Sequence, residues 1–364
     1  MHMTAEGSSR DREQNNFGFL RLALAILVIF SHSPELIDGN RSREVLTRLF
    51  GTLSFGELAV DGFFLISGYL ILQSFLNSRS YGEYLIKRVL RIYPGYVVAF
   101  MVSLFIGWAG GGRLVDLRHI CLDITRALSL HTPEIQNAFS GTAVPALNGS
   151  MWTVSYEFRC YLLVMLLGVL GLFRNRRLYL AVTAIFFLLA LKPVKWLPSP
   201  MVVALFGHPE FSLRFTLIFL CGGCFYLFRD RIRYKRTAVL IAAVALLPLM
   251  YIPRLAEPAV ITIGAYLLFS FAFIFKSRVL GRVGSRVDLS YGVYLYAWPI
   301  QGLLIWHNPH ISPWVLFLLS AMAAGCCAFV SWTVIEKPFL NLKGRFVRSR
   351  RTNATSALGV SGAS

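Results

Sequence analysis

Apolar residues in this chain come in long, unbroken blocks that are separated by short basic clusters. Segments such as 22–30, 182–191 and 315–330 contain no charged side chain. A helix needs about 20 mainly apolar residues to cross a bilayer, within a range of about 17 to 25. The pattern therefore predicts an all-α, polytopic membrane bundle of about ten transmembrane helices. The predicted spans are 17–33, 56–77, 93–109, 152–173, 178–193, 211–228, 238–252, 258–275, 289–306 and 313–335.

Composition supports this prediction and argues against a soluble domain. Of the 364 residues, 56% are hydrophobic and 15% are charged, whereas a soluble domain carries about 25% charged residues. A net charge of +18 would indicate a nucleic-acid partner in a soluble protein. Because the basic residues here fall between apolar blocks, the lipid bilayer is the predicted partner and nucleic acid is not.

The basic residues also alternate between successive loops. If the N-terminus is placed inside, 24 of the 36 lysines and arginines fall in inner segments and 9 in outer loops. This bias follows the positive-inside rule for membrane proteins. It predicts that both termini are cytoplasmic in a multi-pass protein of the cell (inner) membrane.

One membrane domain accounts for most of the chain. We expect a cytoplasmic tail at 1–14, a membrane domain at 15–340, and a basic, then disordered, cytoplasmic tail at 341–364. The longest outer loop contains a basic amphipathic stretch at 115–130. Such a stretch predicts a helix that lies along the membrane surface.

Small residues inside the spans predict packing rather than chemistry. Cys221 and Cys224 form a CxxC pair, but no second pair and no nearby histidine completes a metal site. Five of the six cysteines lie in apolar segments, where a thiol behaves as a small hydrophobe. We therefore predict no metal. Ser67 and Gly68 in the second span predict a close approach of a neighbouring helix.

Charged side chains inside a span are candidates for function, because each costs at least about 2.5–3.5 kcal/mol at mid-membrane. Arg21 and His32 lie in the first span, within about 20° of the same helix face and with a rise of about 16 Å between them. One helix thus carries a cation near its inner end and an imidazole near its outer end. The structural alternative is that Arg21 reaches back to the inner interface and His32 caps the helix.

A second basic group precedes the third span. If this lead-in is helical, Arg88 and Arg91 are neighbours on one face, at the same level as Arg21. Guanidinium groups match phosphate geometry, so the three arginines could hold the phosphates of an anionic cytosolic ligand. Ordinary positive-inside charge is the alternative, and it is the expectation for Lys87.

Two carboxylates are predicted at a depth similar to that of His32. Glu157 lies about two turns below the outer surface in the fourth span, and Asp61 lies early in the second span. Either carboxylate could hold one imidazole nitrogen and leave the other nitrogen as a base. The alternative for Glu157 is a structural ion pair with Arg159 or Arg214.

Six motifs occur in an order that resembles the acyltransferase 3 family of bacterial membrane O-acyltransferases. The resemblance runs from about residue 15 to 340. The motifs are Arg21-x10-His32, FFLISGY at 63–69, Arg88-x-x-Arg91, WTVSYE at 152–157, SYGVYLYAWP at 290–299 and EKPF at 336–339. Members of this family modify O-antigens, exopolysaccharides and other glycans.

The resemblance implies roles for particular residues. Arg21 and His32 match the family's essential pair, and Arg88 and Arg91 match its basic pair near the acyl-CoA site. Two departures limit the transfer of other roles. Ala297 and Trp298 stand where members often have a histidine, so a role for that second histidine cannot be carried over. In the fourth-span motif one acidic residue, Glu157, is present where members often have two.

These observations predict an integral membrane O-acyltransferase. The resemblance implies acyl-CoA as donor, with acetyl-CoA favoured, and a glycan or lipid-linked saccharide as acceptor. The three arginines would bind the donor at the inner mouth, and His32, oriented by Glu157 or Asp61, would act as general base on a sugar hydroxyl at the outer face. The alternatives are a transporter or flippase for an anionic or glycan substrate, and a non-catalytic scaffold.

Overall fold

The computed structural model describes residues 15–113, 117–191, 199, 201, 203, 207–275, 277, 279–285 and 287–342. The tail predicted at 1–14 and most of the one predicted at 341–364 lie outside the described residues. So do several basic residues counted in the loops. These are Lys192, Lys195, Lys276, Arg278 and Arg286.

The described residues fold into α-helices and form no strand. The helices are α1 Phe17–Asp38, α2 Val45–Phe50, α3 Phe55–Leu76, α4 Tyr81–Ala109, α5 Leu117–Leu128, α6 Trp152–Val169, α7 Arg176–Ala190, α8 Pro209–Leu227, α9 Arg236–Met250, α10 Pro253–Ala259, α11 Ala265–Ile274, α12 Ser290–His307 and α13 Pro313–Ser331. Short π-helical segments, Val260–Gly264 and Trp332–Glu336, continue α10 into α11 and extend α13. The predicted all-α class is thus confirmed.

Seven helical stretches in the described part of the chain are long and apolar enough to cross a membrane. They are Phe17–Asp38, Phe55–Leu76, Tyr81–Ala109, Trp152–Val169, Pro209–Leu227, Pro253–Ile274 and Pro313–Leu342. Each coincides with a predicted span, and the protein is a multi-pass membrane protein.

The three remaining predicted spans also coincide with helices. Two of these, α7 and α9, have 15 residues each. The third, α12, has 18 residues but carries Gln301 and several tyrosines. Its first ten residues are all buried, so neighbouring helices rather than lipid surround it, and it can be less apolar. The count of ten spans and the orientation of the termini stay predictions.

Helix α12 is central to the bundle. It packs against α1, α4 and α13, and α3 packs against both α1 and α8. The crossing of α3 and α8 is close because a Cβ on Gly68 would collide with the carbonyl of Phe219, and one on Gly222 with the carbonyl of Leu65. The close helix approach predicted at Gly68 is therefore confirmed.

The prediction that 115–130 lies along the membrane surface is wrong. The hydroxyl of Tyr93, midway along α4, donates to the Leu128 carbonyl at the end of α5 (2.9 Å). Near the other end of α4, the Arg113 amide donates to the Gln136 carbonyl (3.0 Å). Residues 93 and 110 are about 25 Å apart along a helix. Helix α5 therefore runs beside α4, and the segment that follows it returns along the same helix.

Candidate active site

A cavity with about 770 Å³ of empty space, part of it open to solvent, lies between α1, α3, α4, α6 and α12. Arg21, Arg88 and Arg91 all line it, as the sequence predicted for one basic cluster. Helix α4 begins at Tyr81, so the lead-in to the third span is helical. The rest of the lining is Val60, Phe63, Phe64, Ile66, Ser67, Leu70, Ile71, Thr153, Val154, Glu157, Tyr161, Ser290, Tyr291 and Tyr294.

Two of the three arginines share a carboxylate. The Asp288 Oδ2 atom lies 2.8 Å from a guanidinium nitrogen of Arg21 and 2.6 Å from one of Arg91. Arg91 also lies 3.6 Å from the carboxylate of Glu336. Burial alone would raise the pKa of Asp288, but the two guanidiniums, helped by hydrogen bonds from Ser290, hold that pKa well below its usual range. Asp288 therefore fixes the positions of Arg21 and Arg91.

Arg88 has fewer polar partners than the other two arginines. One nitrogen donates to the Ser74 hydroxyl at 3.2 Å, and the guanidinium lies over the rings of Tyr84 and Tyr161. Its Nε atom is buried without a hydrogen-bond partner. Among the described residues Arg88 forms no ion pair. A partly buried cation with a buried, unused donor at a cavity wall is suited to an anionic ligand.

Glu157 lies in the wall of the same cavity. It accepts hydrogen bonds from the hydroxyls of Ser67 and, at 2.7 Å, Tyr161. The Glu157 carboxylate thus binds Ser67 and Tyr161 and not His32. The prediction that Glu157 orients His32 is therefore wrong. The alternative pairing with Arg214 is also wrong, because Arg214 pairs elsewhere.

Asp61 belongs to a buried ion-pair cluster. Its two carboxylate oxygens accept from the same guanidinium nitrogen of Arg214 at 2.9 and 3.0 Å, and the Arg214 Nε atom lies 2.9 Å from Glu257. Asp61 is fully buried, and its ion pair with Arg214 offsets the cost of burying the charge. The carboxylate is therefore already bound to Arg214. The prediction that Asp61 could orient His32 is therefore wrong, and the cluster joins α3, α8 and α10.

The partner of His32 is Glu35, one turn further along α1. The His32 Nδ1 atom lies 3.0 Å from the Glu35 carboxylate. The Trp298 ring packs against the imidazole with the ring centroids 4.8 Å apart, and its indole nitrogen donates to the Ala146 carbonyl at 2.9 Å. Sequence reasoning missed Glu35, although its i,i+3 spacing from His32 was a visible signal.

His32 lies beyond the end of the cavity. Helices α1 and α3 pack with Leu24 against Gly62 and Ser31 against Gly56, so Val60 is level with residues 26–27 of α1. His32 is then about 8 Å further along the bundle, and the cavity lining does not include it. Arg21 and His32 nevertheless lie on one continuous helix, as predicted.

The fold and the cavity define a multi-pass membrane protein with a basic cavity between its helices. The family model described as an acyltransferase domain matches residues 15–334. The chain therefore belongs to the acyltransferase 3 family and is an acyltransferase.

Two relatives match over nearly their whole length. The O-acetyl transferase of Shigella phage Sf6 is 30% identical over 340 residues, which cover 90% of this chain and 96% of the relative. Nodulation protein 10 of Rhizobium leguminosarum bv. viciae is 28% identical over 374 residues, which cover 93% and 96%. No solved structure matches the chain. The family membership favours an enzyme over the transporter and scaffold alternatives.

Proposed function

We propose that this protein transfers an acyl group from acyl-CoA to a hydroxyl of a cell-surface or exported glycan. The observation that carries the proposal is a single helix, α1, with His32 held by Glu35 near one end and Arg21 in a basic cavity near the other. Acetyl is the favoured acyl group, because the phage Sf6 relative carries the name O-acetyl transferase. A cytosolic acyl-CoA fits a protein of the cell inner membrane.

The basic end of the cavity suits the phosphates of the donor. Arg21 and Arg91 share Asp288, while Arg88 keeps unused donors. The three guanidiniums are matched in number by the carboxylates of Asp288, Glu336 and Glu157, but Arg88 forms no ion pair with any of them among the described residues. Guanidinium groups bind phosphate through charge-assisted hydrogen bonds, and Arg88 is the residue that we expect to contribute most.

The middle of the cavity suits the long, amide-containing arm of the donor. Its walls are mainly apolar, but Glu157, Ser67 and Tyr161 form one polar cluster there. Thr153 and Tyr294, whose hydroxyls are 2.6 Å apart, form a second. Such scattered polar groups in an apolar cavity orient a ligand by hydrogen bonds. We assign Glu157 to donor binding rather than to the orientation of His32.

The chemistry is assigned to His32. With Nδ1 paired to Glu35, Nε2 is available as a general base. It takes the proton of the sugar hydroxyl as the hydroxyl oxygen attacks the thioester carbonyl carbon. A carbon–oxygen bond forms, the carbon–sulfur bond breaks, and the proton passes to the departing thiolate. The thioester has to extend about 8 Å beyond Val60 to reach His32.

Sided membrane vesicles test this proposal. We expect radiolabelled acetyl-CoA to label glycan when it is supplied at the cytosolic face and not when it is supplied at the opposite face. His32→Ala should abolish labelling. His307→Ala is the matched control, because His307 is an exposed histidine near the end of α12. Equal labelling of glycan by wild type and His32→Ala would overturn the assignment, as would labelling from the wrong face.

A further inference from the structure

A second cavity lies beside the His32 end of α1. It has about 1120 Å³ of empty space, including open solvent, and lies between α1, the segment 40–48 and the start of α13. We call it the α1–α13 groove. One wall is aromatic and the opposite wall is basic and polar. The aromatic residues are Phe30, Trp314 and Phe317, and the polar residues include Asn40, Ser42, Arg43 and Arg48.

The aromatic wall is continuous with a surface that faces lipid. Phe30 packs on Trp314 and Phe317, with ring centroids 5.7 and 5.5 Å apart. Trp314 is 60% exposed, and Leu318 and Met322 further along α13 are exposed as well. An amphiphile can therefore enter the groove sideways from the membrane. A tryptophan at this position also offers a flat apolar face to a sugar ring.

The basic wall contains one arginine, Arg48, without an ion-pair partner among the described residues. Arg43 pairs with Asp38 at 2.6 Å, but its side chain is 68% exposed. Arg48 is exposed and forms no ion pair among the described residues. These arginines lie in a loop that the basic-residue pattern places outside, where the positive-inside rule predicts few of them. A bound anion would give Arg48 the partner that it lacks among the described residues.

We infer that the α1–α13 groove binds the phosphate end of a lipid-linked saccharide, which is the acceptor. This inference rests on the proposed function for its acceptor class. The lipid chain would follow the aromatic wall, and the phosphate would lie against Arg48 and Arg43. Arg48, which has no ion pair among the described residues, on one side and apolar continuity with the bilayer on the other favour an anionic amphiphile over a free sugar.

The groove lies at the same end of α1 as His32 but on the other side of the helix. Phe30 and Pro34 are each two residues, or about 200° of rotation, from His32, so they lie on the opposite face of α1. A phosphate in the groove is then separated from His32 by the end of one helix. The saccharide chain, rather than its phosphate-linked end, would cross over α1 to the imidazole.

Binding without any acyl donor tests the groove. The probe is a fluorescent disaccharide linked through a diphosphate to a polyprenyl chain, titrated onto the full-length protein in phosphatidylcholine nanodiscs. We expect Arg48→Gln to weaken binding about tenfold, which corresponds to the loss of one charge-assisted hydrogen bond. Trp314→Leu should also weaken it. Arg254→Gln, at an exposed arginine of α10 outside the groove, should bind as the wild type does.

Competition separates the possible sources of the phosphate. Phosphatidylglycerol, or the same disaccharide diphosphate without its lipid, should compete at least about tenfold less well than the intact lipid-linked probe. Equal competition by either would overturn the proposed occupant, and unchanged binding in Arg48→Gln and Trp314→Leu would overturn the site. His32→Ala should still bind the probe, because the proposed contacts to the phosphate and the lipid chain lie in the groove and do not include His32. Loss of acetyl transfer in His32→Ala with intact probe binding therefore separates the groove from the chemistry.

Discussion

At the scale of single residues, the pairing of His32 with Glu35 makes a quantitative prediction. Glu35→Gln should lower kcat by at least about tenfold, or about 1.4 kcal/mol of transition-state stabilisation, because the imidazole loses the carboxylate that fixes its tautomer. His32→Ala should cost more, on the order of 10²- to 10⁴-fold. The KM for acetyl-CoA should stay the same in Glu35→Gln. A large rise in that KM with unchanged kcat would show that Glu35 acts on donor binding instead.

Arg88 gives the second residue-scale prediction. Arg88→Gln should raise the KM for acetyl-CoA by about tenfold or more, because hydrogen bonds to charged groups contribute about 1.5–3 kcal/mol. Lys87→Gln is the matched control, since Lys87 already pairs with Glu83 and Ser78. Steady-state kinetics on the two variants would measure the KM for acetyl-CoA. Equal KM values in both would place the donor phosphates elsewhere.

The sequence predicts some site residues well and others poorly, for physical reasons. Arg21 and His32 could be found because a charged or polar side chain inside an apolar block is costly and therefore conspicuous. Glu35 was missed because the predicted span ended before Pro34. Helix α1 instead continues through Pro34 to Asp38, as membrane helices can where neighbouring groups satisfy the backbone. Depth alone also could not show that Asp61 pairs with Arg214 rather than with His32.

At the scale of helices, the crossing of α3 and α8 depends on the absence of a side chain at Gly68. Gly68→Ala should destabilise the folded protein by about 1–3 kcal/mol, the usual cost of overpacking, because its Cβ would meet the carbonyl of Phe219. Gly325→Ala in α13 is the control, since its Cβ would meet no atom within 4 Å. Thermal unfolding in detergent measures both. An unchanged midpoint in Gly68→Ala would contradict the close crossing.

Asp288 links α1, α4 and the start of α12 through its two arginines, and this predicts a pH dependence. Because its pKa is lowered on folding, the stability that Asp288 contributes is present above the unfolded value of about 3.9 and is lost as the pH falls towards the folded value. Asp288→Asn should therefore unfold at a lower temperature than wild type at pH 7. The difference should shrink below about pH 4. A constant difference from pH 7 to pH 3 would contradict this account.

The positions of the helices along the chain were easier to predict than the helices that each one packs against. Long apolar blocks place the spans because the bilayer sets their length. The pattern in α5 indicated an amphipathic helix but not its neighbour. Hydrogen bonds from Tyr93 and Tyr96 to the backbone that ends and follows α5 decide its position beside α4, and such pairings do not show in a periodicity.

At the scale of the whole molecule, the proposed function depends on different chemical groups at the two ends of the helix bundle. The basic cavity lies towards Arg21, and His32 with Glu35 lies towards the α1–α13 groove. A donor and an acceptor could thus approach from opposite sides of the membrane. Asp288, which holds Arg21 and Arg91 in the basic cavity, was not predicted. It lies just outside a predicted span, where a charged side chain carries no large energetic cost and so does not indicate function.

The most direct test of the proposed function is the O-acetyl content of surface polysaccharide, measured by NMR. Cells would carry wild-type protein, His32→Ala, His307→Ala or no protein, with membrane levels matched by blot. We predict O-acetyl signals with wild type and His307→Ala, and none with His32→Ala or without the protein. The same O-acetyl signals from wild type and an equally abundant His32→Ala variant would contradict the account.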